Sequence, residues 1–264
     1  MKRIFSLLMS LIFFCTVTDR VTALDENRIT ITILYDNYTF SEGLKEDWGF
    51  SCIVEGAEKV ILFDTGTKSD ILFYNIDRLH VDPKNVELTV ITHNHSDHTG
   101  GLFSFLSKNN KVSVYLPISF PEEFFERVEK TKARAIAVKD PVEICEDVFL
   151  TGEMGDSIKE QSMILNTSQG LVIITGCSHQ GIVNILERAR EMFDRRIYLV
   201  FGGFHLLRHS ESEVKGIISR FKELGVLKVG ATHCTGDKAI ELFREAYGEN
   251  FVRMGVGKVV SISE

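Results

Sequence analysis

The chain has 264 residues, enough for one large domain or two small ones, and it contains 44% hydrophobic and 25% charged residues, as is usual for a globular protein. Its 30 basic and 37 acidic residues give a formal net charge of −7. Because an acidic surface repels phosphates and no run of five or more basic residues offsets it, we exclude nucleic acid as a partner.

The first 23 residues have the pattern of an export signal. Lys2 and Arg3 precede an almost wholly apolar run at residues 4–17, and residues 21–23 have the compact side chains of a signal-peptidase site. The apolar run is shorter than the ~20 residues that span a membrane. We therefore predict an exported protein, periplasmic or extracellular, with a single domain at residues 24–264 and no stable membrane span after signal removal. An uncleaved N-terminal membrane anchor is the alternative.

Residues 29–35 alternate Thr with aliphatic side chains, which predicts a strand with one polar face. Six further apolar runs predict strands at residues 50–54, 59–63, 88–91, 112–116, 135–138 and 148–151. Helical patterns begin at Ser69, which we expect to cap the helix, at Gly101 and at Pro121.

The second half has a more regular order. We predict strands at residues 162–166, 171–175, 197–201, 228–232 and 258–262, and helices at residues 182–193, 210–224 and 238–247. No linker rich in Pro, Gly or Ser divides the chain, and no tandem repeat is present. The pattern favours one compact domain in which helices cover sheets.

The densest group of potential metal ligands follows the predicted strand at residues 88–91. It contains His93, His95, Asp97 and His98 within six residues, followed by Gly100 and Gly101. A loop that leaves a strand end can turn several side chains to one side, and imidazole and carboxylate groups are common ligands of divalent ions. The sequence therefore predicts a metal site here.

Other potential ligands also follow predicted strands. This placement is shared by four residues, namely Asp64, His179, His205 and His233. Because loops at strand ends often carry function, the repeated placement indicates one shared site. His80 and His209 lack it, and we interpret both as surface residues.

Four cysteines lie outside the predicted signal, and none forms a CxxC pair. An exported protein could pair them, but a disulfide framework is typical of smaller and more cysteine-rich chains, and the sequence does not determine the disulfide state. Cys177 and Cys234 lie beside candidate ligands. We interpret them as small buried residues that pack near the site.

Together these motifs resemble the metallo-β-lactamase superfamily, and the resemblance extends from about residue 29 to the C terminus. The superfamily signature HxHxDH, the earlier Asp and the two later histidines are matched in order by His93, His95, Asp97, His98, Asp64, His179 and His233. The resemblance implies an α+β fold, a four-layer αβ/βα sandwich of two mixed β-sheets flanked by helices, with metal ions at one edge.

The resemblance also implies the role of each matched residue. One divalent ion would be held by His93, His95 and His179, and a second by Asp97, His98 and His233. Asp64 would orient the loop that carries the ligands. Zinc suits such ligands best, with iron or manganese as alternatives.

Two further sequence segments resemble one subgroup of the superfamily. The sequences GCSHQGIVNI at residues 176–185 and GGFHL at residues 202–206 are similar to those of dihydropterin–ribofuranosylaminobenzene phosphate synthases, a subgroup also described as metal-dependent hydrolases. One departure is visible, because the superfamily usually has an Asp that bridges both ions after the strand at residues 197–201. This chain has Gly203, Phe204 and His205 there, so we expect one or two divalent ions, with the second either weakly bound or absent.

These features predict a hydrolase that uses a metal-bound hydroxide on a small ester, phosphoester or related substrate. Asp97 would ligate or orient the nucleophile, and His205 would contact a metal or the substrate. For an anionic substrate we also expect contacts from Ser178, from Arg208 and from the helix that begins near Gly181.

Four alternatives remain at this point. A transferase is implied by the name of the subgroup, although its precursors are cytoplasmic and export speaks against it. A β-lactamase fits export but not the missing Asp. A nuclease would need an inserted domain, for which the 54-residue interval from His179 to His233 leaves no room. A metal-binding domain without turnover is the non-enzymatic alternative. The sequence predicts no particular oligomeric state.

Overall fold

The computed structural model describes residues 28–263. The predicted export signal at residues 1–23 lies outside this range and stays a prediction, as does the single domain proposed from residue 24 onward. No helix within residues 28–263 combines the length and apolar character needed to cross a membrane.

One sheet is built mainly from the first half of the chain. Within the described residues its strands are β1 (Arg28–Tyr35), β2 (Ser51–Glu55), β3 (Ile61–Phe63), β4 (Leu88–Val90), β5 (Ser113–Pro117), β6 (Arg134–Val138) and β13 (Val259–Ser263). Their order across the sheet is β13-β1-β2-β3-β4-β5-β6. The strands from β3 to β6 are parallel to one another, and the remaining pairs are antiparallel.

The other sheet follows in the chain. Its strands are β7 (Val142–Cys145), β8 (Val148–Leu150), β9 (Met163–Thr167), β10 (Gly170–Thr175), β11 (Ile197–Gly203) and β12 (Lys228–Thr232). They lie in the order β12-β11-β10-β9-β8-β7, with β10, β11 and β12 parallel. Both sheets are therefore mixed, as predicted.

Helices cover the outer face of each sheet. Those in residues 28–263 are α1 (Ser69–Arg78), α2 (Ser96–Thr99), α3 (Leu102–Lys108), α4 (Glu122–Lys130), α5 (Ile182–Met192), α6 (Glu211–Glu223) and α7 (Asp237–Tyr247). The sequence explains where some begin: Ser210 and Glu213 form a capping box at α6, and Pro121 precedes the acidic first turn of α4.

Three apolar clusters show the layers. Between the sheets, side chains such as Ile33, Phe63, Val172 and Phe201 pack face to face. The helices α1, α3 and α4 bury their apolar sides on the outer face of the first sheet, and α5, α6 and α7 do the same on the second. This is the predicted four-layer αβ/βα sandwich, and the predicted fold class is confirmed.

Two local predictions were wrong. Strand β7 was missed because it is a four-residue edge strand whose first two side chains are exposed and whose last two are half-buried, so its apolar pattern is weak. Ser69 is the first helical residue of α1 rather than its cap, because Lys68 occupies the cap position. Strand β11 also continues to Gly203, two residues past its predicted end. This extension brings the loop after β11 close to the loops that follow β10 and β12.

Candidate metal centre

The candidate ligands lie together at one edge of the sandwich. His93, His95 and the short helix α2 follow the carboxyl end of β4 in the first sheet. His179 follows β10 and His233 follows β12 in the second sheet. Since the carboxyl ends of parallel strands point to the same edge, the two sheets bring these loops face to face.

Four residues of these loops have left-handed backbone conformations. They are Asp64, Ser178, His205 and His233, with φ angles of 52°, 67°, 53° and 50°. Such a conformation costs a non-glycine residue about 1–3 kcal/mol, and residues of this kind concentrate at functional sites. The chain thus adopts a left-handed conformation after four of the strands whose ends face the candidate site, namely β3, β10, β11 and β12.

Three histidines form the first set of donor atoms. His93 Nε2 lies 3.1 Å from His95 Nδ1 and 3.2 Å from His179 Nε2. Two nitrogens bound to one zinc ion at tetrahedral angles lie about 3.3 Å apart. The spacing of these three side chains therefore fits one divalent ion.

The second set contains Asp97, His98 and His233. Asp97 Oδ2 lies 3.6 Å from His98 Nε2 and 3.4 Å from His233 Nε2. These distances also fit a shared ion, so the six predicted ligands lie in the same two groups that the resemblance implies. The Cys177 sulfur lies among them, 3.2 Å from His98 Nε2 and 3.5 Å from His233 Nε2.

Asp64 orients two of the histidine rings. Its Oδ2 accepts a hydrogen bond from His98 Nδ1 at 2.6 Å and another from the Thr92 hydroxyl at 2.8 Å. The Thr92 oxygen in turn lies 2.9 Å from His93 Nδ1 and can accept its proton. With Nδ1 acting as donor, each ring presents the lone pair of Nε2 to the site.

Asn37 and Trp48 contact the second set and were missed by the sequence analysis. Asn37 Oδ1 lies 2.9 Å from His233 Nδ1, and it also accepts the Gly49 amide. The Trp48 indole N–H donates to Asp97 Oδ2 at 2.9 Å. Asn37 follows strand β1, as the predicted ligands follow their strands, but an amide side chain is not typical of a zinc ligand and so gives no separate signal in the sequence.

Burial keeps most of these imidazoles neutral. It lowers the pKa of His93 well below the usual value, lowers that of His95, and lowers the pKa of His179 to about 4. Neutral imidazole is the form that binds metal ions. His98 differs, because the Asp64 carboxylate outweighs burial and raises its pKa.

Asp97 is held in its ionised form. Burial alone would raise the pKa of its carboxyl group, but the His233 hydrogen bond and the charges of His98 and His233 lower it well below the usual range. An ionised carboxylate beside imidazole nitrogens is suited to a cation.

Phe204 and His205, in the stretch where the superfamily usually has a bridging Asp, lie in different surroundings. Phe204 is buried and packs against Phe221 and Phe243 in the core beneath α6 and α7, so it is turned away from the site. His205 is exposed, and its ring lies 4.2 Å from that of His179. A hydrogen bond with Cys234 raises the pKa of His205 despite partial burial.

A cleft of about 270 Å³ opens beside these two histidines. Its walls include His179, His205 and apolar side chains of α5, α6 and the loop after β11, among them Ile182, Leu206 and Ile217. The cleft therefore adjoins the first set of donor atoms and is large enough for part of a small molecule.

Two predicted substrate contacts, Ser178 and Arg208, remain. Ser178 is buried, its hydroxyl donates to the Gly203 carbonyl, and the residue lines the cleft, so its substrate contact stays a prediction. The Ser178 and Gln180 amides donate to buried Glu160, whose pKa burial raises to about 7. Arg208 is exposed and forms no ion pair within residues 28–263, and its substrate contact stays a prediction.

Comparison with known proteins shows the family. Residues 49–176 match the family model described as the metallo-beta-lactamase superfamily. The chain is 29% identical to 7,8-dihydropterin-6-methyl-4-(beta-D-ribofuranosyl)-aminobenzene-5'-phosphate synthase of Methanocaldococcus jannaschii, over 89% of this chain and 97% of that protein. It is 30% identical to the uncharacterized protein MJ0448 of the same organism, over 88% of this chain and all of that one.

Among solved structures, the crystal structure of Tm1679, a metal-dependent hydrolase of the beta-lactamase superfamily, superposes with a TM-score of 0.75. It is 30% identical and covers 89% of this chain and 100% of its own. Members of this superfamily typically bind divalent metal ions, and this chain carries two groups of suitable ligands. The chain belongs to the metallo-β-lactamase superfamily.

Proposed function

We propose that this chain is a metal-dependent hydrolase that acts on a small ester, phosphoester or related substrate. The observation that carries the proposal is the convergence of two sets of donor atoms beside an open cleft. Family membership supports it, because a relative of 30% identity is described as a metal-dependent hydrolase.

Six side chains would hold the metal ions. In this proposal His93, His95 and His179 bind one divalent ion, while Asp97, His98 and His233 bind a second. Such ions supply an activated water near neutral pH and polarise a carbonyl or phosphoryl oxygen of the substrate. Zinc is the ion that the donor set favours, with iron and manganese as alternatives.

The other residues of the site would orient and complete it. Asp64 and Thr92 fix the rings of His98 and His93, and Asn37 fixes His233, so that each Nε2 faces the ions. The involvement of Asp97 Oδ2 with two histidines supports a role as ligand over a role as free base. His205 lies on the cleft wall beside His179, where it can exchange a proton with a departing group.

The cleft supports a small substrate with an anionic group. Its apolar wall suits the body of an organic molecule, while His205 at the wall and the exposed Arg208 nearby supply positive charge. The net charge of −7 supports a small molecule over nucleic acid as the substrate. Export from the cytoplasm remains part of this proposal and rests on residues 1–23 alone.

A transferase is the second candidate. The observation that favours it is the 29% identity to the Methanocaldococcus jannaschii synthase along nearly the whole of both chains. A synthase of this kind joins two molecules where a hydrolase adds water. Both could use the same metal ligands, so the two candidates differ in the co-substrate that occupies the cleft.

The test is an activity screen of the purified full chain loaded with zinc, iron or manganese. The panel contains carboxylic esters, lactones, phosphomonoesters and phosphodiesters, and a parallel assay follows the release of inorganic diphosphate from a pterin diphosphate in the presence of an aminobenzene ribose phosphate. Hydrolysis that disappears in His93→Ala and persists in His80→Ala supports the hydrolase.

The comparison with His80→Ala is a matched control, because His80 is exposed and lies away from the strand-end loops. Diphosphate release without hydrolysis would favour the transferase. A protein that binds metal tightly and turns over nothing in either assay would contradict both candidates and leave a metal-binding domain.

A further inference from the structure

Cys177 is a fourth potential ligand in the second set of donor atoms. The sequence alone indicates a buried packing residue, yet its sulfur lies 3.2 Å from His98 Nε2 and 3.5 Å from His233 Nε2. It is 3% exposed and cannot exchange this contact for water. The four atoms, from Asp97, His98, Cys177 and His233, lie within 4.8 Å of one another.

The distances match a tetrahedral zinc site with one sulfur. For zinc–sulfur and zinc–nitrogen bonds of about 2.3 and 2.0–2.1 Å, tetrahedral angles place the sulfur about 3.6 Å from each nitrogen. The two sulfur–nitrogen distances, 3.2 and 3.5 Å, and the two oxygen–nitrogen distances, 3.6 and 3.4 Å, all lie close to this geometry.

The two histidine rings of the second set are turned toward the sulfur. His98 Nδ1 is bonded to Asp64 and His233 Nδ1 to Asn37, so both Nε2 atoms face Cys177 and Asp97. A single cation can bind these two nitrogens, the Asp97 carboxylate and the sulfur together.

Two glycines explain why the sulfur comes from the loop after β10. A Cβ atom at Gly176 would lie 2.3 Å from Thr92 Oγ1, so only glycine lets this loop approach β4 and bring Cys177 to His98. A Cβ atom at Gly203 would lie 2.6 Å from the Cys234 sulfur and 3.1 Å from His233 Cδ2. Gly203, at the end of β11, therefore has no room for a side chain.

We propose that Cys177 binds the second metal ion as a thiolate, completing a four-ligand site with Asp97, His98 and His233. This inference rests on the proposed metal-dependent function. The thiolate replaces the missing carboxylate as the anionic ligand, and four protein ligands close the second site. The three-histidine site keeps an open position beside the cleft, as catalytic sites do.

Cys234 is the competing sulfur. It is buried close to Cys177 and His205, and these three side chains form another group of potential ligands. That group is smaller, lacks a carboxylate, and includes the exposed ring of His205. A site built from it would contain two sulfurs, which makes the two arrangements distinguishable.

The first experiment uses the wild-type protein, purified under reducing conditions and loaded with two zinc ions. X-ray absorption at the zinc edge should show a sulfur shell at about 2.3 Å with one sulfur for every two zinc ions. Absence of sulfur, or two sulfurs per two zinc ions, would overturn the proposal. This measurement does not depend on the folding of any variant.

The second experiment identifies the cysteine. The cobalt(II)-loaded protein should show a thiolate-to-cobalt charge-transfer band in the near ultraviolet, which Cys177→Ser removes while lowering the affinity for the second ion at least tenfold. The matched variants Cys234→Ser and Cys145→Ser should retain the band. Loss of the band in Cys234→Ser with retention in Cys177→Ser would contradict the assignment.

The outcomes separate the two proposals. Two bound ions and metal-dependent hydrolysis without any sulfur ligand would overturn the role of Cys177 and leave the proposed function standing. Failure of the wild-type protein to bind any divalent ion would overturn both.

Discussion

At the scale of single residues, the predicted metal ligand His233 is held in place by Asn37, a residue outside the HxHxDH signature. Its Oδ1 lies 2.9 Å from His233 Nδ1, and its Nδ2 donates to the His233 carbonyl at 3.3 Å. Both contacts hold His233, which has a left-handed backbone, in one orientation. Asn37 therefore positions the ring whose Nε2 faces Asp97 and Cys177.

Replacing Asn37 should weaken the second site. We expect Asn37→Ala to lower the affinity for the second ion by about 10- to 100-fold, because the His233 ring loses the partner that fixes its tautomer and direction. Competition with a chromophoric chelator measures this affinity. Asn110→Ala is a suitable control, since the Asn110 side chain donates to the Thr131 carbonyl, away from both sets of donor atoms. Equal affinities in the two variants would contradict a positioning role for Asn37.

Asp36, the preceding residue, predicts a dependence of stability on pH. It is fully buried, its Oδ2 accepts the Thr232 hydroxyl at 2.7 Å, and its Oδ1 has no partner within the described residues. Burial raises its pKa from 3.8 to about 6. The folded protein thus binds the proton more tightly than the unfolded chain does.

The direction of the pH dependence follows from this difference in proton affinity between the folded and the unfolded chain. The contribution of protonated Asp36 to stability is complete below about pH 4 and is lost as the pH rises through about 6. Between these values the unfolding free energy of metal-free wild type, relative to Asp36→Asn, should fall by up to about 3 kcal/mol. Denaturant unfolding of both proteins at several pH values measures it, and parallel curves would contradict the prediction.

At the scale of elements, the loop after β11 turns its phenylalanine inward. Phe204 lies 5.6 Å from Phe221 and 5.4 Å from Phe243, measured between ring centroids, and is 1% exposed. This packing joins β11 to α6 and α7. The residue next to the usual position of a bridging carboxylate is therefore part of the core.

Phe204→Asp should consequently unfold the protein and not restore a bridging ligand. Removing a buried Phe side chain costs about 3–5 kcal/mol, and an unpaired buried carboxylate adds more, which together approach the whole stability of a typical domain. Leu207→Asp, in the same loop but 62% exposed, should change stability by less than about 0.5 kcal/mol. Circular dichroism melts compare the two, and a folded Phe204→Asp with tighter metal binding would contradict this reasoning.

The elements also show what the sequence could and could not predict. Strong apolar periodicity located nearly every strand and helix, and dense His and Asp motifs at strand ends located the candidate ligands. Strand β7 was missed because an exposed edge strand has little periodicity. Asn37, Trp48 and Cys177 were missed because their roles depend on contacts between loops more than ten residues apart in the chain, which no local pattern encodes.

At the scale of the whole molecule, the two sets of donor atoms join the two sheets. His93, His95, Asp97 and His98 follow β4 in the first sheet, whereas His179 and His233 belong to the second. Each proposed ion would therefore link the two halves of the sandwich. Metal binding and folding should then be coupled.

Removal of metal should lower the stability of the entire chain. At a free zinc concentration 1,000 times the dissociation constant, one site contributes about 4 kcal/mol to the unfolding free energy. Thermal melts with zinc, with a chelator, and after zinc is restored measure this contribution. His209→Ala, whose imidazole is exposed and outside both sets, should behave as wild type, whereas His93→Ala, which lacks one ligand of the three-histidine site, should be stabilised by zinc less than wild type.

The contact between Trp48 and Asp97 gives the molecule an internal optical reporter. Trp48 is the single tryptophan of the chain, it is 47% exposed, and its indole N–H donates to the Asp97 oxygen that faces His98 and His233. An ion that draws electron density from this oxygen weakens the hydrogen bond and changes the surroundings of the indole. Tryptophan emission should therefore shift when the second site fills, and zinc binding can be followed by fluorescence without any added label.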